Sequence, residues 1–310
     1  MKVLLLGGGG FIGSSVLECL LKTSHYVRVF ERPRITPYRQ FGPHEHVEWL
    51  TGDLLSGSDI DAAMDGVDVV IHLISSTLPK NSNDDPIYDV QSNVISALFI
   101  LNAMVAHKVP RIIFASSGGT VYGCPKYIPI DERHPTEPLV SYGINKLCIE
   151  KYLALYESMH GIRAIVLRLS NPYGERQRIE TAQGAVGAFC VRALRAEPID
   201  IWGDGSVTRD YVYVGDVAEA FRKAMQYSGS FNVFNISYGA GTTLLELVEL
   251  ISRELKNPIV PRFLPGRPFD VPVNILDNAL ARSELDWKPA IALQDGLALT
   301  IDWLRQNIDR

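Results

Sequence analysis

Residues 2–13 constrain this chain more than any other stretch. Lys2-Val3-Leu4-Leu5-Leu6 is an apolar run, Gly7-Gly8-Gly9-Gly10-Phe11-Ile12-Gly13 is a glycine-rich turn, and Val16, Leu17, Leu20 and Leu21 follow at helical spacing. The order is strand, turn, helix. Gly8, Gly10 and Gly13 satisfy G-x-G-x-x-G, while Gly7, Gly10 and Gly13 satisfy the wider G-x-x-G-x-x-G. Such a turn must be tight, must let backbone approach a pyrophosphate, and must leave room for helix–strand packing at its last glycine. The N–H groups that open the helix then face an anion. A chain that begins this way is expected to begin with a dinucleotide site.

A glycine cluster alone is weak, because many glycine turns bind nothing. A second requirement is an acid about 20 positions further on, at the end of the next strand. Tyr26-Val27-Arg28-Val29-Phe30 reads as that strand and Glu31 closes it. A carboxylate there accepts from adenosine ribose hydroxyls and repels the extra phosphate of NADP, which favours NAD. Arg32 and Arg34 keep NADP open, since a basic neighbour accommodates that phosphate.

The 310 residues have room for one large domain or two, and a hydrophobic fraction of 46% suits a sizeable core. A formal charge of −5 leaves no basic footprint, so a nucleic-acid partner is not expected. The sequence offers no apolar run judged long enough to span a bilayer, and its short basic and apolar start is consumed by the first strand rather than by a signal peptide. Cys19, Cys124, Cys148 and Cys190 lack metal-type spacing. They read as ordinary thiols in a reducing cytoplasm, with no metal site.

Apolar strands alternate with helical patterns through the first half. Strands are expected at 26–30, 47–50, 68–73, 111–115 and 162–167, and helices near 11–22, 58–65, 86–107 and 140–160. Near-continuous Val/Ile/Leu runs suit strands covered on both faces. The alternation predicts an α/β fold, a Rossmann-type doubly wound parallel sheet. After about residue 170 the pattern changes to helices near 182–196, 215–227, 243–256 and 292–307, with short strands and proline-rich loops. The expected organisation is a cofactor domain over 1–170, receiving back part of 200–235, and a smaller α/β substrate lobe over 171–310. Ligands of open α/β sheets sit at the carboxyl ends of the strands, where such a lobe would close over them.

Tyr142 and Lys146 stand four apart at the start of a predicted helix and share a face. An ammonium beside a phenol is expected to lower the phenol's pKa from about 10, and a positioned phenolate takes a proton from a sugar hydroxyl. The pair is common by chance, so its context carries the weight. Ser116-Ser117-Gly118-Gly119-Thr120-Val121-Tyr122-Gly123 follows the strand 111–115 and puts hydroxyls at a strand's carboxyl end, although Ser and Gly are also usual loop residues.

At this point the chain resembles the extended short-chain dehydrogenase/reductases, in particular nucleotide-sugar epimerases of the UDP-glucose 4-epimerase type. The resemblance runs essentially end to end. It rests on Gly7–Gly13, Glu31, Gly52-Asp53-Leu54, Ser-Ser-x-x-x-Val-Tyr-Gly, Tyr142-x-x-x-Lys146, Asn171-Pro172-Tyr173-Gly174, Arg209-Asp210-Tyr211-Val212-Tyr213-Val214 with Asp216, and Gly266-Arg267-Pro268-x-Asp270-Val271-Pro272. It implies Tyr142 as acid/base and Lys146 as the residue that holds the nicotinamide ribose. Gly7, Gly10, Phe11, Ile12, Gly13, Glu31, Arg32, Asp53 and Leu54 would line the NAD site, with Asp53 near adenine. Asn93 would be the buried helix asparagine near the catalytic region. Asn171, Arg209 and Arg267 would hold the sugar diphosphate, where a forked guanidinium suits phosphate. Asp270 would reach the uridine ribose. Each also has a plainer reading: Asn171 as a turn residue, Asp53 as a cap, the arginines as surface charges.

Two departures bear on the chemistry. Relatives carry the catalytic hydroxyl three residues before the Val of Val-Tyr-Gly, where this chain has Gly118. Ser117 is the expected substitute, with Ser116 still open. Relatives that dehydrate or decarboxylate carry an acid in this segment, where the chain has Gly118, Gly119 and Thr120, which favours plain epimerisation. Four residues beyond Asp270 lies Asn274, at a position that gates the sugar's 2-substituent in the family. A Tyr narrows that pocket, so Asn274 is expected to admit UDP-GlcNAc and UDP-GalNAc.

The expected reaction is NAD-dependent C4 epimerisation of a UDP-hexose through a 4-keto intermediate. The alternatives are a 4-keto reductase or dehydratase on the same scaffold, and a non-catalytic NAD(P)-binding scaffold protein. The resemblance also implies a homodimer through helices 86–107 and 140–160.

Overall fold

The structure is a computed structural model, and it describes residues 1–177, 184–266 and 271–308. Strands β1 (Lys2–Leu6), β2 (Tyr26–Glu31), β3 (Val47–Thr51), β4 (Val69–His72), β5 (Arg111–Ser117) and β6 (Arg163–Leu169) join Val233–Ile236 in a seven-stranded sheet. Its order is 233–236, β6, β5, β4, β1, β2, β3, and every pairing is parallel. The strand order reverses between β1 and β4, which opens a crevice at their carboxyl ends.

The two-residue period of the strands explains the layering. Val3, Leu5, Val27, Val29, Val69 and Ile71 point to one face, against α1 (Phe11–Leu21) and the helix Val214–Ala224. Leu4, Leu6, Phe30, Val70 and Phe114 point to the other. There they meet α2 (Gly57–Met64), α4 (Ser96–His107, preceded by the short α3, Pro86–Asp89) and α5 (Ser141–His160). Both faces are dry, so truncating a strand residue such as Leu4 to Ala should cost about 2–5 kcal/mol.

Residues 86–107 form a continuous helical stretch that is long and apolar enough to cross a membrane, with mean hydropathy 1.3, contrary to the expectation that no such segment exists. Its Ile100, Leu101 and Met104 are buried against the sheet, which accounts for the apolar composition. The stretch is also not uniform. It opens as Pro86–Asp89, widens to a π-helix over Val90–Ile95 and closes as Ser96–His107.

A third apolar cluster is built by Ala185–Leu194, Leu244–Leu255 and Leu293–Asn307 around Phe189, Leu247, Ile251 and Leu297. Small sheets stand between it and the main sheet. Tyr211–Tyr213 pairs with Asn171–Tyr173, and Thr208–Arg209 lies between Thr242–Thr243 and Val273–Asn274. The chain returns to the main sheet through Val214–Ala224 and Val233–Ile236. It returns again through Ala281, Leu285 and Trp287, which pack on the face that α1 covers.

Candidate active site

The glycine turn lies at the carboxyl end of β1. Gly7 has φ +95°, which disfavours any side chain, and a Cβ on Gly13 would stand 1.8 Å from the Gly7 carbonyl oxygen. α1 then begins at Phe11 with Gly10 as its cap and no side chain on its first N–H groups. Phe11 and Ile12 are half-buried, Ile12 against the sheet core. Glu31 closes β2 and is 6% exposed, and its Oε1 accepts the Gly9 N–H at 2.8 Å. A carboxylate at the rim of an uncapped helix start, over glycines that tolerate no Cβ, fits a dinucleotide: phosphates on the turn and ribose hydroxyls on Glu31. Arg32 is exposed beside it. Leu54 is buried in the core beneath, and the exposed Asp53 accepts the Leu55 N–H at 2.9 Å, which closes a local turn.

Tyr142 and Lys146 occupy the first turns of α5. The Lys146 ammonium is buried, donates to the Ala115 carbonyl at 2.8 Å, and lies 4.7 Å from the Phe114 ring centroid and 5.6 Å from that of Tyr142. Lys146 therefore ties α5 to the end of β5, where Ser117 is the last residue. The Ser116 hydroxyl is occupied, donating to Glu150 at 2.5 Å. Glu150 also holds Arg168 at 2.6 Å in an ion pair whose side chains are about nine-tenths buried or more. The Ser117 hydroxyl makes no such bond among the described residues and is half-buried. Gly118 is a glycine for want of space, because a Cβ there would meet Leu276 Cδ1 at 2.4 Å.

The acid–base state differs from the expected one. Burial pushes the Tyr142 phenol up to about 12, helped by the nearby Asp89 charge and opposed by a hydrogen bond from Ser75. Burial pushes Lys146 down to about 8, while Glu150 and Asp89 favour its charge. The expected lowering of the phenol by its lysine neighbour is corrected accordingly. In the protein alone desolvation dominates the phenol, and the ammonium donates to the Ala115 carbonyl.

The substrate-side candidates lie on the small sheets. Asn171 Nδ2 donates to the Asp210 carbonyl at 3.1 Å, and Arg209 donates to the carbonyls of Thr208 and Val271 at 2.9 and 2.7 Å. Asn274 stands opposite Arg209 across a parallel pair and is 2% exposed. Its Nδ2 donates to the Gly118 carbonyl at 3.3 Å, next to Ser117, and its Oδ1 is buried without a partner. Arg267 and Asp270 lie outside the described residues. Among the described residues no group of three His, Cys, Asp or Glu side chains is arranged to hold a metal ion.

Ser76, Ser82 and Asn83, which the sequence reading did not single out, complete the site together with Asn93, which it did. Ser82 Oγ accepts the Tyr142 N–H at 3.0 Å and Asn83 Oδ1 accepts the Ser141 N–H at 2.9 Å, capping a helix whose own cap position is Val140. Asn93 lies in the π-helical turn, donates to Asp89 Oδ1 at 2.8 Å and accepts from the Ser76 N–H at 3.0 Å. Their one sequence signal is position: Ser75-Ser76-Thr77 follows the carboxyl end of β4, at the strand-order reversal.

The sequence model of the NAD dependent epimerase/dehydratase family matches residues 3–237. Among curated relatives, a putative UDP-glucose 4-epimerase of Methanocaldococcus jannaschii is 36% identical over 98% of this chain and 99% of its own length. A dTDP-4-dehydro-6-deoxyglucose reductase of Escherichia coli is 32% identical over 98% and 97%. The structure resembles UDP-glucose 4-epimerase of Thermotoga maritima solved with UDP-glucose, with TM-score 0.94, 33% identity, and 99% and 100% of the two chains covered. It also resembles the UDP-N-acetylglucosamine 4-epimerase of Methanobrevibacter ruminantium M1 in complex with UDP-N-acetylmuramic acid, with TM-score 0.91, 26% identity and 98% coverage of each chain.

Proposed function

The chain is an epimerase-type enzyme that belongs to the NAD dependent epimerase/dehydratase family, and we propose that it inverts C4 of UDP-hexoses, with UDP-GlcNAc and UDP-GalNAc as its preferred pair. NAD, when bound at the glycine turn, supplies a hydride acceptor for sugar C4 and, in its oxidised form, a positive charge. Tyr142 takes the O4 proton and returns it to the inverted alcohol. The Ser117 hydroxyl, unengaged at the end of β5, hydrogen-bonds O4. Lys146 holds its charge beside the phenol and fixes α5 to β5. Asn171, Arg209, Arg267 and Asp270 anchor the nucleotide, so that the sugar turns while its handle stays bound.

The convergence of Tyr142, Lys146 and Ser117 beside a cradle shaped for a dinucleotide carries the reading. The N-acetyl preference rests on Asn274, whose buried, unpartnered Oδ1 is an acceptor suited to an acetamido N–H. UDP-glucose and UDP-galactose, which lack that donor, are the second pair.

Incubating the protein with the four UDP-sugars and separating the products tests this, and interconversion of UDP-GlcNAc with UDP-GalNAc is expected. No interconversion of any UDP-sugar overturns it. The similarity to the reductase and the exposed Arg32 support a second reading, reduction of a 4-keto nucleotide sugar. Stoichiometric NADPH consumption would establish that one instead.

The reading extends to a homodimer. Ile87, Tyr88, Phe99, Ile144 and Met159 expose apolar side chains along 86–107 and 140–160, and pairing of these helices across a two-fold axis would cover them. Sedimentation of the protein at micromolar concentration tests this. Four free thiols support a cytoplasmic setting.

A further inference from the structure

We propose that Asp210 is a positioning residue for the substrate. Its carboxylate and carbonyl fasten the strands that carry Asn171, Arg209 and Asn274 to the carboxyl edge of the main sheet, and so set how far the nucleotide grip stands from Ser117 and Tyr142. The inference rests on those three residues belonging to the substrate site of the proposed reaction.

Asp210 joins Thr208–Arg209 to Tyr211–Tyr213 and is fully buried. Its carboxylate accepts from three segments. The Tyr238 N–H reaches Oδ1 at 2.9 Å and the Gly239 N–H reaches Oδ2 at 3.1 Å, just after Val233–Ile236. The Leu276 N–H reaches Oδ2 at 3.3 Å, two residues after Asn274. The Ser170 hydroxyl reaches Oδ1 at 3.4 Å from the residue that follows β6. The Asp210 carbonyl takes both Asn171 donors, the backbone N–H at 3.0 Å and Nδ2 at 3.1 Å.

A buried charge is costly unless its partners are good. What a carboxylate adds here is two oxygens that only accept, with about four lone-pair sites for four donors. An amide in its place keeps one such oxygen and turns an NH2 donor toward the other N–H groups. Burial pushes the Asp210 carboxyl up to about 6, opposed by the bonds it accepts, so the carboxylate is the form present at neutral pH.

The donors lie on both sides of the site. Ser170 continues β6, where its N–H donates to the Ile236 carbonyl at 3.0 Å, and β6 pairs with β5 as far as Ser117 and Leu169. The Leu169 carbonyl in turn accepts the Gly118 N–H at 2.8 Å, and Asn274 Nδ2 donates to the Gly118 carbonyl. Asp210 is thus linked to Ser117 through Ser170, Leu169 and Gly118. On the substrate side, Asn171 stands opposite Tyr211 in its strand pair, and Asn274 opposite Arg209. Arg209 Nη1 is aimed by the carbonyls of Thr208 and Val271. A sugar that turns about a held nucleotide must meet the same reacting atoms twice, which requires a grip at constant distance from them.

The test uses the NAD-loaded protein, with UDP binding read by calorimetry beside kcat, KM and Tm. Asp210→Asn is expected to weaken UDP binding and raise KM by about tenfold, with kcat within about threefold and NAD retained. Ser170→Ala removes one donor and leaves the carboxylate. It should raise KM by about twofold to threefold at unchanged kcat, and it carries the test if the amide variant does not fold. Asp216→Asn serves as the control. Asp216 Oδ2 accepts the Ile291 N–H at 3.0 Å, away from Asn171 and Arg209 in the strand pairing, so its loss should lower Tm without moving UDP binding or KM. Native UDP affinity and KM in folded Asp210→Asn, a fall in kcat alone, or an equal loss of UDP affinity in Asp216→Asn overturns the proposal. Where only Ser170→Ala folds, its native KM does so. Weakened UDP binding in a protein inactive on every UDP-sugar keeps Asp210 and rejects the reaction, and native protein that does not bind UDP rejects both.

Discussion

The Lys146 ammonium donates to the Ala115 carbonyl at 2.8 Å, two residues before Ser117 on the same strand. That bond brings a helix and a strand from either side of a long intervening loop into one site. One turn further along α5, Glu150 repeats the connection through the Ser116 hydroxyl and anchors it with Arg168 on β6. The geometry of the site is therefore held by buried charge, which is costly to fold.

Lys146 illustrates the cost. Its fall from an ordinary 10.5 to about 8 corresponds to about 3 kcal/mol of unfavourable folding free energy below pH 8. The unfolded chain holds this proton up to about pH 10 while the folded one releases it near 8, so native stability rises with pH across that interval. Lys146→Met is expected to raise Tm at pH 7, to lose that advantage as pH approaches 10, and to be inactive. Denaturant melts at pH 6, 8 and 10 check this, and a variant less stable than native at pH 7 contradicts it.

Removing the cofactor should reveal the phenol's intrinsic state. Without NAD, Tyr142 is expected to titrate near 12, and oxidised NAD should bring it down by adding a positive charge to the site. Spectrophotometric titration of stripped and loaded protein, with Tyr142→Phe as the blank, measures both. The same substitution should lower turnover by about 10²–10⁴-fold and spare UDP-sugar binding. Identical titrations with and without cofactor would leave the activation of Tyr142 unexplained.

Much of this architecture is legible in the chain because its signals are local. β1, β4, β5 and β6 are near-continuous apolar runs, and the glycine turn announces its own geometry. Val233–Ile236 is not legible. It is four residues long and contains Asn235, a polar side chain that is buried only because Tyr122, Ile130 and Asp277 supply its partners from distant segments. The π-helical turn is hidden for a similar reason. The apolar spacing of 86–107 reads as one helix, and the widening becomes visible only once Asn93 has Asp89 and Ser76 to bind. The phenol's pKa is not legible either, because the desolvation that dominates it exists only once folding buries both groups.

The two serines at the end of β5 separate cleanly. Ser116→Ala should cost about 1–2 kcal/mol, by leaving one oxygen of the buried Glu150 short of a donor, with kcat nearly unchanged. Ser117→Ala should leave stability within about 0.5 kcal/mol of native and lower kcat by about tenfold to a hundredfold. Thermal melts beside turnover decide the assignment, and the reverse pattern would move the catalytic hydroxyl to Ser116.

The proposed sugar preference rests on Asn274. It is buried beside the Gly118 carbonyl with one oxygen unpartnered, so a substrate donor that reaches it relieves an unmet acceptor, whereas a hydroxyl-bearing sugar gains less. Asn274→Tyr exceeds the space that Asn274 fills, and in the proposed reading its ring closes the pocket to a 2-acetamido group. Turnover of UDP-GlcNAc is expected to fall by at least about tenfold, with UDP-glucose turnover kept within about threefold. Asn274→Leu removes the acceptor at similar volume, and it should reduce UDP-GlcNAc turnover with little effect on UDP-glucose. Equal turnover of UDP-GlcNAc by native protein and both variants would show that Asn274 neither gates the pocket nor reads the acetamido group, and the preferred pair would revert to UDP-glucose and UDP-galactose.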